Sequence, residues 1–288
     1  MDWSQLFDFS DYGALIVLLQ NSLWAGLVLG LIGGLVGVFV MTRDLAFAVH
    51  GISELSFAGA AAGLLFGAGV VQGSLVGSLI AAALIGLLGT RARDRNSITA
   101  VLMPAGLGLG ILCLALYPGR ASNKFGLLTG QIVAVDDPRL GELIAIGVVV
   151  ILGLLVIWRP LTFASVDPEV AVARGVPARA LSLVFMLLLG LAVAVGVQVV
   201  GALLVLSVLV TPAAAAMRIS SSPVWVPVLS TVFATVSLVG GIFLALGASV
   251  PISPYVTTIS FLIYVVCRVV SAGGARRMRH RRERLAAA

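Results

Sequence analysis

Long runs of apolar residues, separated by short polar segments, dominate the chain. The runs cover roughly 14–41, 48–69, 72–90, 98–118, 140–158, 180–199, 201–217, 224–247 and 254–271. Most of these runs are close to the length of about 20 residues that a helix needs to cross a bilayer. None of them alternates apolar and polar residues as a membrane β-strand does. Little more than Gly201 separates 180–199 from 201–217, so either of these two runs can be broken or partly re-entrant. The pattern predicts an all-α polytopic membrane protein, a bundle of eight or nine transmembrane helices.

Composition supports this prediction. Hydrophobic residues make up 60% of the chain and charged residues only 10%, whereas a soluble domain is about 25% charged. The basic run "RRMRHRRER" at 276–284 follows the last apolar run, which is typical of a cytoplasmic tail held by anionic lipid rather than of a nucleic-acid site. We therefore expect one transmembrane permease domain over 1–275 and a basic cytoplasmic tail over 276–288.

Arginine placement predicts the orientation. The segments 91–95 and 159–179, Arg218 and the C-terminal tail all become cytoplasmic if nine spans alternate from an external N-terminus. The polar segment 119–139, which carries three positive residues against the rule, then lies outside and is expected to contain a short interfacial helix. The acidic N-terminus lacks the basic region of a signal peptide.

Several chemistries are not favoured. The chain has no GxxxxGK phosphate-binding loop and a single lysine, Lys124, so ATP hydrolysis by that route is excluded. It also lacks the HExxH pattern of a metalloprotease. Cys113 and Cys267 lie within apolar runs, where thiols pack as small hydrophobes. Pro104 and Pro212 interrupt their spans, and each removes a backbone hydrogen bond and can kink its helix.

One polar pair lies deep in an apolar run. Glu54 follows Arg43 by 11 residues, about 16 Å along a helix, which is near the middle of the bilayer. A charged group there costs about 2.5–3.5 kcal/mol. His50 lies four residues earlier, on the same helical face. Three interpretations remain open: a self-satisfied pair that stabilises the bundle, a proton relay, and a site for Zn²⁺, Mn²⁺ or Fe²⁺ completed by water or by another helix.

The polar segment 159–179 has the features of a short capped helix. Asp167 is a good N-cap, Pro168 suits the first helical position, and Glu169 complements the helix dipole. Gly175 suits the position after the helix. A helix of two turns is marginal alone in water, so it either lies on the membrane surface as a connector or docks on a cytoplasmic partner.

Four segments, in order along the chain, resemble one family. They are "RDLAFAVHGISELSFAGAAAG" at 43–63, "GLLTGQIVAV" at 126–135, "VDPEVAVARGVPARAL" at 166–181 and "VVGALLVLSVLVTPAAAA" at 199–216. They resemble the patterns R-x-x-x-M-G-D-A-L-S-H-A-x-L-P-G-x-A-x-G, L-F-G-D-I-L-A-V, F-D-P-E-x-A-x-A-x-G-[LVI]-P and V-G-x-L-L-V-x-x-L-L-x-[TL]-P-A-A-x-A. These patterns belong to the integral-membrane permeases of bacterial zinc/manganese/iron ABC importers, the ABC-3 family.

The resemblance implies function and partners. It implies a multi-pass permease in a bacterial cell membrane that forms a homodimer and works with a separate cytoplasmic ATPase and an extracytoplasmic metal-binding protein. Zn²⁺ or Mn²⁺ would be the transported substrate, with Fe²⁺ as a further candidate, and the chain would have no permanently bound cofactor and no enzymatic activity. His50 replaces the aspartate of the family pattern and Glu54 replaces its histidine, so the spacing is kept while the metal preference is open.

Two rival functions are weighed against an importer permease. A proton-coupled secondary carrier would use His50 and Glu54 as its relay and would transport without an ATPase. A non-transport membrane scaffold would show no flux and would tolerate the loss of both residues.

Overall fold

The computed structural model describes residues 19–89, 92–119, 135–245 and 252–286, with the backbone alone described at 92 and at 273–286. Every regular element in these ranges is a helix. In chain order the helices are α1 (Gln20–Thr42), α2 (Ala46–Phe66), α3 (Val70–Leu88), α4 (Ala92–Leu116), α5 (Asp137–Val166), α6 (Pro168–Ala173), α7 (Ala178–Val200), α8 (Val205–Leu209), α9 (Thr211–Ile219), α10 (Trp225–Ala245) and α11 (Ile252–Ala286).

Eight helices within the described ranges are long and apolar enough to cross a membrane: α1 to α5, α7, α10 and the Ile252–Ala272 part of α11. The predicted bundle of eight or nine transmembrane helices is thereby confirmed. The helices α8 and α9 together cover Val205–Ile219. This stretch is only about 22 Å long at 1.5 Å per residue, less than the ~30 Å hydrocarbon core.

Several connections meet at one end of the bundle, here called the arginine end and defined by residues 43–45, 167–177 and 220–224. The guanidinium of Arg43, between α1 and α2, donates to Ser165 near the end of α5 and to Ser182 near the start of α7, both at 3.2 Å. At the opposite end, Asn21 of α1 donates to a carboxylate oxygen of Asp137 in α5 at 2.7 Å. Helices α1 and α5 therefore run in the same direction, and α7 runs against them.

The chain reverses at 201–204, where α7 has ended and α8 has not begun. Gly201 has a φ of 87°, a left-handed conformation that glycine adopts at low cost. Serine hydroxyls satisfy carbonyl groups around this break: Ser53 donates to Ala202 at 2.6 Å, and Ser253 donates to Val200 at 3.1 Å. The region 180–217 therefore makes two passes, an intact helix and a broken one.

Helices α8 and α9 return the chain to the arginine end. A methyl group on Gly33 of α1 would lie 3.1 Å from Val208, and one on Gly37 would lie 3.3 Å from Ala213. Gly33 faces Val208, and the later residue Gly37 faces the later residue Ala213, so the residue numbers increase in the same direction along both segments. The broken pass therefore runs parallel to α1. Arg218, at the end of α9, approaches the Tyr264 hydroxyl of α11 at 3.5 Å. The described chain thus alternates between the two ends nine times, although only eight of its helices are of spanning length.

Glycine allows α2 and α3 to touch through their backbones. A methyl group on Gly59 would collide with the carbonyl oxygen of Gly73, and one on Gly73 would collide with that of Gly59. Small residues favour this kind of close packing in lipid, where dispersion contacts replace the hydrophobic effect between helices. The hairpin holds α2 in one position against the rest of the bundle.

The helices differ in how far they are covered. Protein buries 67% of the spanning window of α1 and 72% of that of α7, against 22% for α5 and 17% for α11. Helices α1 and α7 therefore form the centre of the bundle. The apolar faces of α5 and α11 are open to lipid or to another membrane chain.

The two prolines expected to kink their helices lie in different positions. Pro104 lies inside α4, which continues through it, whereas Pro212 is among the first two residues of α9, where a missing N–H costs little.

Helix α11 runs on to Ala286, so no helix end marks the expected boundary between 275 and 276. The interfacial helix expected within 119–139 falls mostly on 120–134, outside the described residues, as does the N-terminal segment 1–18.

Candidate metal-transport site

Helix α2 carries the polar pair and buries it unequally. Ala and Gly make up much of the helix, and it ends at Gly67 with a φ of 73°. The Glu54 side chain is 4% exposed, while that of His50 is 29% exposed. Gly106 of α4 packs so closely on the backbone of Glu54 that a methyl group there would lie 2.9 Å from the Glu54 carbonyl carbon. The carboxylate is therefore enclosed by protein, and the imidazole lies at the accessible edge.

The two side chains approach each other without a hydrogen bond. The Nε2 atom of His50 lies 3.8 Å from Oε1 of Glu54, which is beyond hydrogen-bond distance. Both side chains also keep a buried atom, Nδ1 of His50 and Oε2 of Glu54, with no partner among the described residues. A buried polar group without a partner costs about 1–3 kcal/mol. The pair therefore keeps one buried atom on each side chain that can still accept or donate a bond.

A third side chain with an unpartnered buried atom lies on α7. The Nε2 atom of Gln198 has no hydrogen-bond partner in the described part of the chain. Gln198 precedes the break at 201–204, and Ser53 of α2, the neighbour of Glu54, donates to Ala202 within that break. Gln198 is not among the site residues predicted from the sequence. The signal was present, since it is an isolated amide in the apolar stretch "VGVQVVG".

The chemistry of the pair suits a divalent transition metal, but two ligands do not complete a site. Imidazole suits Zn²⁺, and a carboxylate oxygen suits both Zn²⁺ and Mn²⁺. Among the described residues there is no group of three or more His, Cys, Asp or Glu side chains that could hold a metal ion. An ion at this place would need water, an amide or carbonyl oxygen, or a second copy of the chain.

The segment before α7 folds as its sequence indicates. The Asp167 carboxylate accepts a hydrogen bond from the N–H of Val170 at 3.0 Å, and Pro168 is the first residue of α6. After the helix, the N–H of Val176 donates to Ala171 and that of Gly175 to Val172, both at 3.0 Å. These two bonds form a Schellman motif. Gly175 supplies its left-handed residue with a φ of 80°.

Helix α6 leaves most of its surface uncovered. Ala171 is fully buried against the bundle, whereas the valines beside it are exposed, 43% for Val170 and 59% for Val172. The two valines therefore leave apolar area of α6 free for contact with another protein. The role of Asp167, Pro168, Glu169 and Gly175 in docking stays a prediction.

Comparison with known proteins extends this picture. The model of the ABC 3 transport family matches residues 16–271. The chain is 30% identical over 226 residues to the manganese transport system membrane protein MntC of Halalkalibacterium halodurans, covering 78% of this chain and 77% of that protein. It is 27% identical over 251 residues to the high-affinity zinc uptake system membrane protein ZnuB of Haemophilus influenzae, covering 86% and 96%.

A solved structure agrees over the same extent. PsaBC from Streptococcus pneumoniae in complex with Fab contains a chain that superposes with a TM-score of 0.81 at 25% identity, covering 90% of this chain and 95% of that one. Sequence and fold thus match over most of the length on both sides. The chain belongs to the ABC 3 transport family.

Proposed function

We propose that this chain is the permease subunit of an ATP-binding-cassette importer that moves a divalent transition metal, Mn²⁺ or Zn²⁺, into the cytoplasm. A separate subunit hydrolyses the ATP. The observation that carries the proposal is the enclosed Glu54 carboxylate beside His50, each with an unpartnered buried atom, in a chain of this family. A relative named for manganese and another named for zinc support the substrate class.

The ion itself explains why a carboxylate lies at this depth. A divalent cation in passage neutralises Glu54 and gives its free oxygen a ligand bond, so the cost of burial is offset while the ion is present. His50 is the more exposed member and lies one helical turn nearer the arginine end, so an ion delivered at the opposite end reaches the level of Glu54 before that of His50. Glu54 becomes accessible only when the helices around it move, which is what alternating access requires.

A second copy of the chain completes the shell. Two His50 and two Glu54 side chains that converge across a pore supply four ligands, enough for Zn²⁺ or Mn²⁺. The site must also release its ion, so we expect weaker binding than at a storage site. The homodimer is inferred from this incomplete ligand set and from the family.

Helix α6 is the proposed contact for the ATPase. Its exposed Val170 and Val172 offer an apolar surface at the arginine end, and its local caps hold it in a fixed shape before any partner binds. An extracytoplasmic metal-binding protein would deliver the ion at the opposite end.

Flux in reconstituted vesicles tests the proposal. The permease, purified with and without its ATPase, is assayed for uptake of radiolabelled Mn²⁺ and Zn²⁺ with and without ATP. We expect uptake only when the ATPase and ATP are both present. Uptake by the permease alone that a protonophore abolishes would instead establish the secondary carrier, and absence of flux under every condition would favour the scaffold.

Cysteine labelling tests the orientation. In a background in which Cys113 and Cys267 are replaced by alanine, single cysteines are placed at 94 and at 280 in whole cells. Because the arginine bias predicts that both positions are cytoplasmic, an impermeant maleimide should label them only after the membrane is opened. Labelling of intact cells would reverse the assignment.

A further inference from the structure

Arg43 connects the beginning of α2 to both ends of the α6 segment. Its Nη1 donates to the Ser165 hydroxyl, which precedes α6, and its Nη2 donates to the Ser182 hydroxyl, which follows α6, each at 3.2 Å. The Ser165 hydroxyl in turn donates to the Leu161 carbonyl at 2.6 Å. One side chain therefore joins the end of α5, the start of α7 and the turn between α1 and α2.

Backbone hydrogen bonds fix the conformation of the turn that carries Arg43. The N–H of Leu45 donates to the Val40 carbonyl at 2.8 Å, and that of Asp44 donates to Met41 at 3.4 Å. Asp44 takes the left-handed conformation with a φ of 54°, which aspartate adopts more readily than most residues other than glycine. Helix α2 begins at Ala46, so a displacement of Arg43 is passed directly to the helix that carries His50 and Glu54.

Arg95 of α4 supports the same turn from the other side. Its Nη2 donates to the carbonyl groups of Arg43 and Asp44 at 3.3 and 3.4 Å. Burial first, and then the charge of Arg95, lower the pKa of the Arg43 guanidinium, although an arginine remains protonated in proteins. In the described part of the chain no carboxylate lies within salt-bridge distance of this guanidinium.

The contacts of Arg43 are therefore suited to change. Two neutral hydroxyl groups hold a charged group that lacks an ionic partner, so moving either serine costs less than separating an ion pair. A cleft of about 670 Å³ adjoins the contact and is lined by Pro168, Arg179, Ser165 and Ser182 together with Arg43 and Arg95. The cleft gives α6 and its flanking residues room to shift relative to the turn.

From this geometry we infer that Arg43 is a positioning residue that transmits movement of α6 to α2, and so couples the ATPase cycle to the metal pair. The inference rests on the proposed function. A shift of α6 displaces Ser165 or Ser182, and the guanidinium of Arg43 either moves with them or loses their hydrogen bonds. The turn between α1 and α2 then moves α2, and Glu54 changes between enclosed and accessible.

Coupling is measured as metal ions moved per ATP hydrolysed, with both rates taken from the same vesicles. Arg43→Ala should retain the ATPase subunit and its hydrolysis, while the ratio falls about tenfold, within the range of coupling changes that single residues cause. Ser165→Ala and Ser182→Ala should each lower it by less, because one contact remains. Arg43→Lys keeps the charge without the two-pronged donor geometry and should lie between Arg43→Ala and the parent.

Double variants separate coupling from general damage. Adding Ser165→Ala to Arg43→Ala should cause no further loss, since both changes break the same contact. The exposed Arg159 gives the matched control, and Arg159→Ala should leave the ratio unchanged. If Arg43→Ala does not insert, the serine variants alone carry the test, because each removes one hydroxyl.

The outcomes are distinct. A normal ratio in Arg43→Ala, or in both serine variants, overturns the inference while the proposed function stands. Additive losses in the double variants also overturn it. If the parent protein shows no uptake that depends on ATP, the proposed function fails and the inference fails with it.

Discussion

The α6 segment and the His50–Glu54 pair differ in how completely their polar groups are satisfied. In α6, a side-chain cap at Asp167 and a Schellman motif at Gly175 satisfy both helix ends within about ten residues of sequence. In α2, each member of the pair keeps a buried atom with no partner among the described residues. The first region is complete by itself, and the second leaves polar atoms that an ion, a water molecule or another chain can bond.

The difference fits the proposed roles of the two regions, with α6 as the docking element and the His50–Glu54 pair as the transport element. A surface that must fit a partner benefits from a fixed shape, because ordering it on binding would reduce affinity. A site that must both receive and release an ion benefits from a carboxylate without a full set of hydrogen bonds to the protein. A fully bonded carboxylate would have to break those bonds before it could bind the ion. Four substitutions test this comparison.

The largest effect is expected for Glu54→Gln. Glutamine keeps the shape of the side chain but removes the charge that a divalent ion requires, so uptake should fall about a hundredfold, the upper end of losses at metal sites. Assembly with the ATPase should be unchanged. Radiolabelled Mn²⁺ and Zn²⁺ flux measures the effect, with the exposed Glu142→Gln as the matched control. Parent-level flux in Glu54→Gln would leave His50 and Glu54 as ordinary polar residues of the bundle.

The second-largest effect is expected for Gly175→Pro. Proline cannot adopt a φ of 80° and lacks the N–H that bonds to Val172. The helix end should therefore be lost, and metal uptake per ATP should fall about tenfold, or ~1.4 kcal/mol. No atom lies within 4 Å of a methyl group added at Gly175. Gly175→Ala therefore adds only backbone strain and should fall between proline and glycine, whereas equal coupling in all three would exclude α6 from docking.

His50→Asp should reduce uptake several-fold rather than abolish it. Aspartate is the residue of the family pattern at this position and retains a ligand oxygen. Because carboxylates favour Mn²⁺ and imidazole favours Zn²⁺, the ratio of Mn²⁺ to Zn²⁺ uptake should rise. Competition between the two radiolabelled ions measures this ratio. His50→Ala serves as the variant that leaves no ligand at position 50. An unchanged ratio would mean that His50 does not contact the ion.

The smallest effect is expected for Asp167→Ala. Loss of an N-cap costs about 1 kcal/mol, which lowers the population of the formed helix and should reduce coupled uptake by at most about fivefold. Asp136 caps α5 in the same way, accepting from the Arg139 N–H at 3.3 Å, but at the opposite end of the bundle. Asp136→Ala should therefore leave coupled uptake unaffected, and equal losses of coupled uptake in the two variants would contradict a specific role for α6.

Local sequence was sufficient wherever the physical cause is local. The apolar runs predicted the long helices, since a segment in lipid must satisfy its backbone internally. The Asp-Pro-Glu sequence at 167–169 and the glycine at 175 predicted both ends of α6, because capping depends on residues within one turn. The spacing of His50 and Glu54 placed them on one face of a helix for the same reason.

Tertiary structure decided what depends on distant parts of the chain. The break at 201–204 is stabilised by residues far away in sequence, since Ser53 donates to the carbonyl of Ala202 and Ser253 donates to that of Val200 at the end of α7. Packing of α4 and α7 against α2 determined that Glu54 is enclosed while His50 is accessible. The contact of Arg43 with Ser165 and Ser182 joins residues more than 120 positions apart. No local pattern encodes such a contact, because it exists only when three helix ends meet at one side of the bundle.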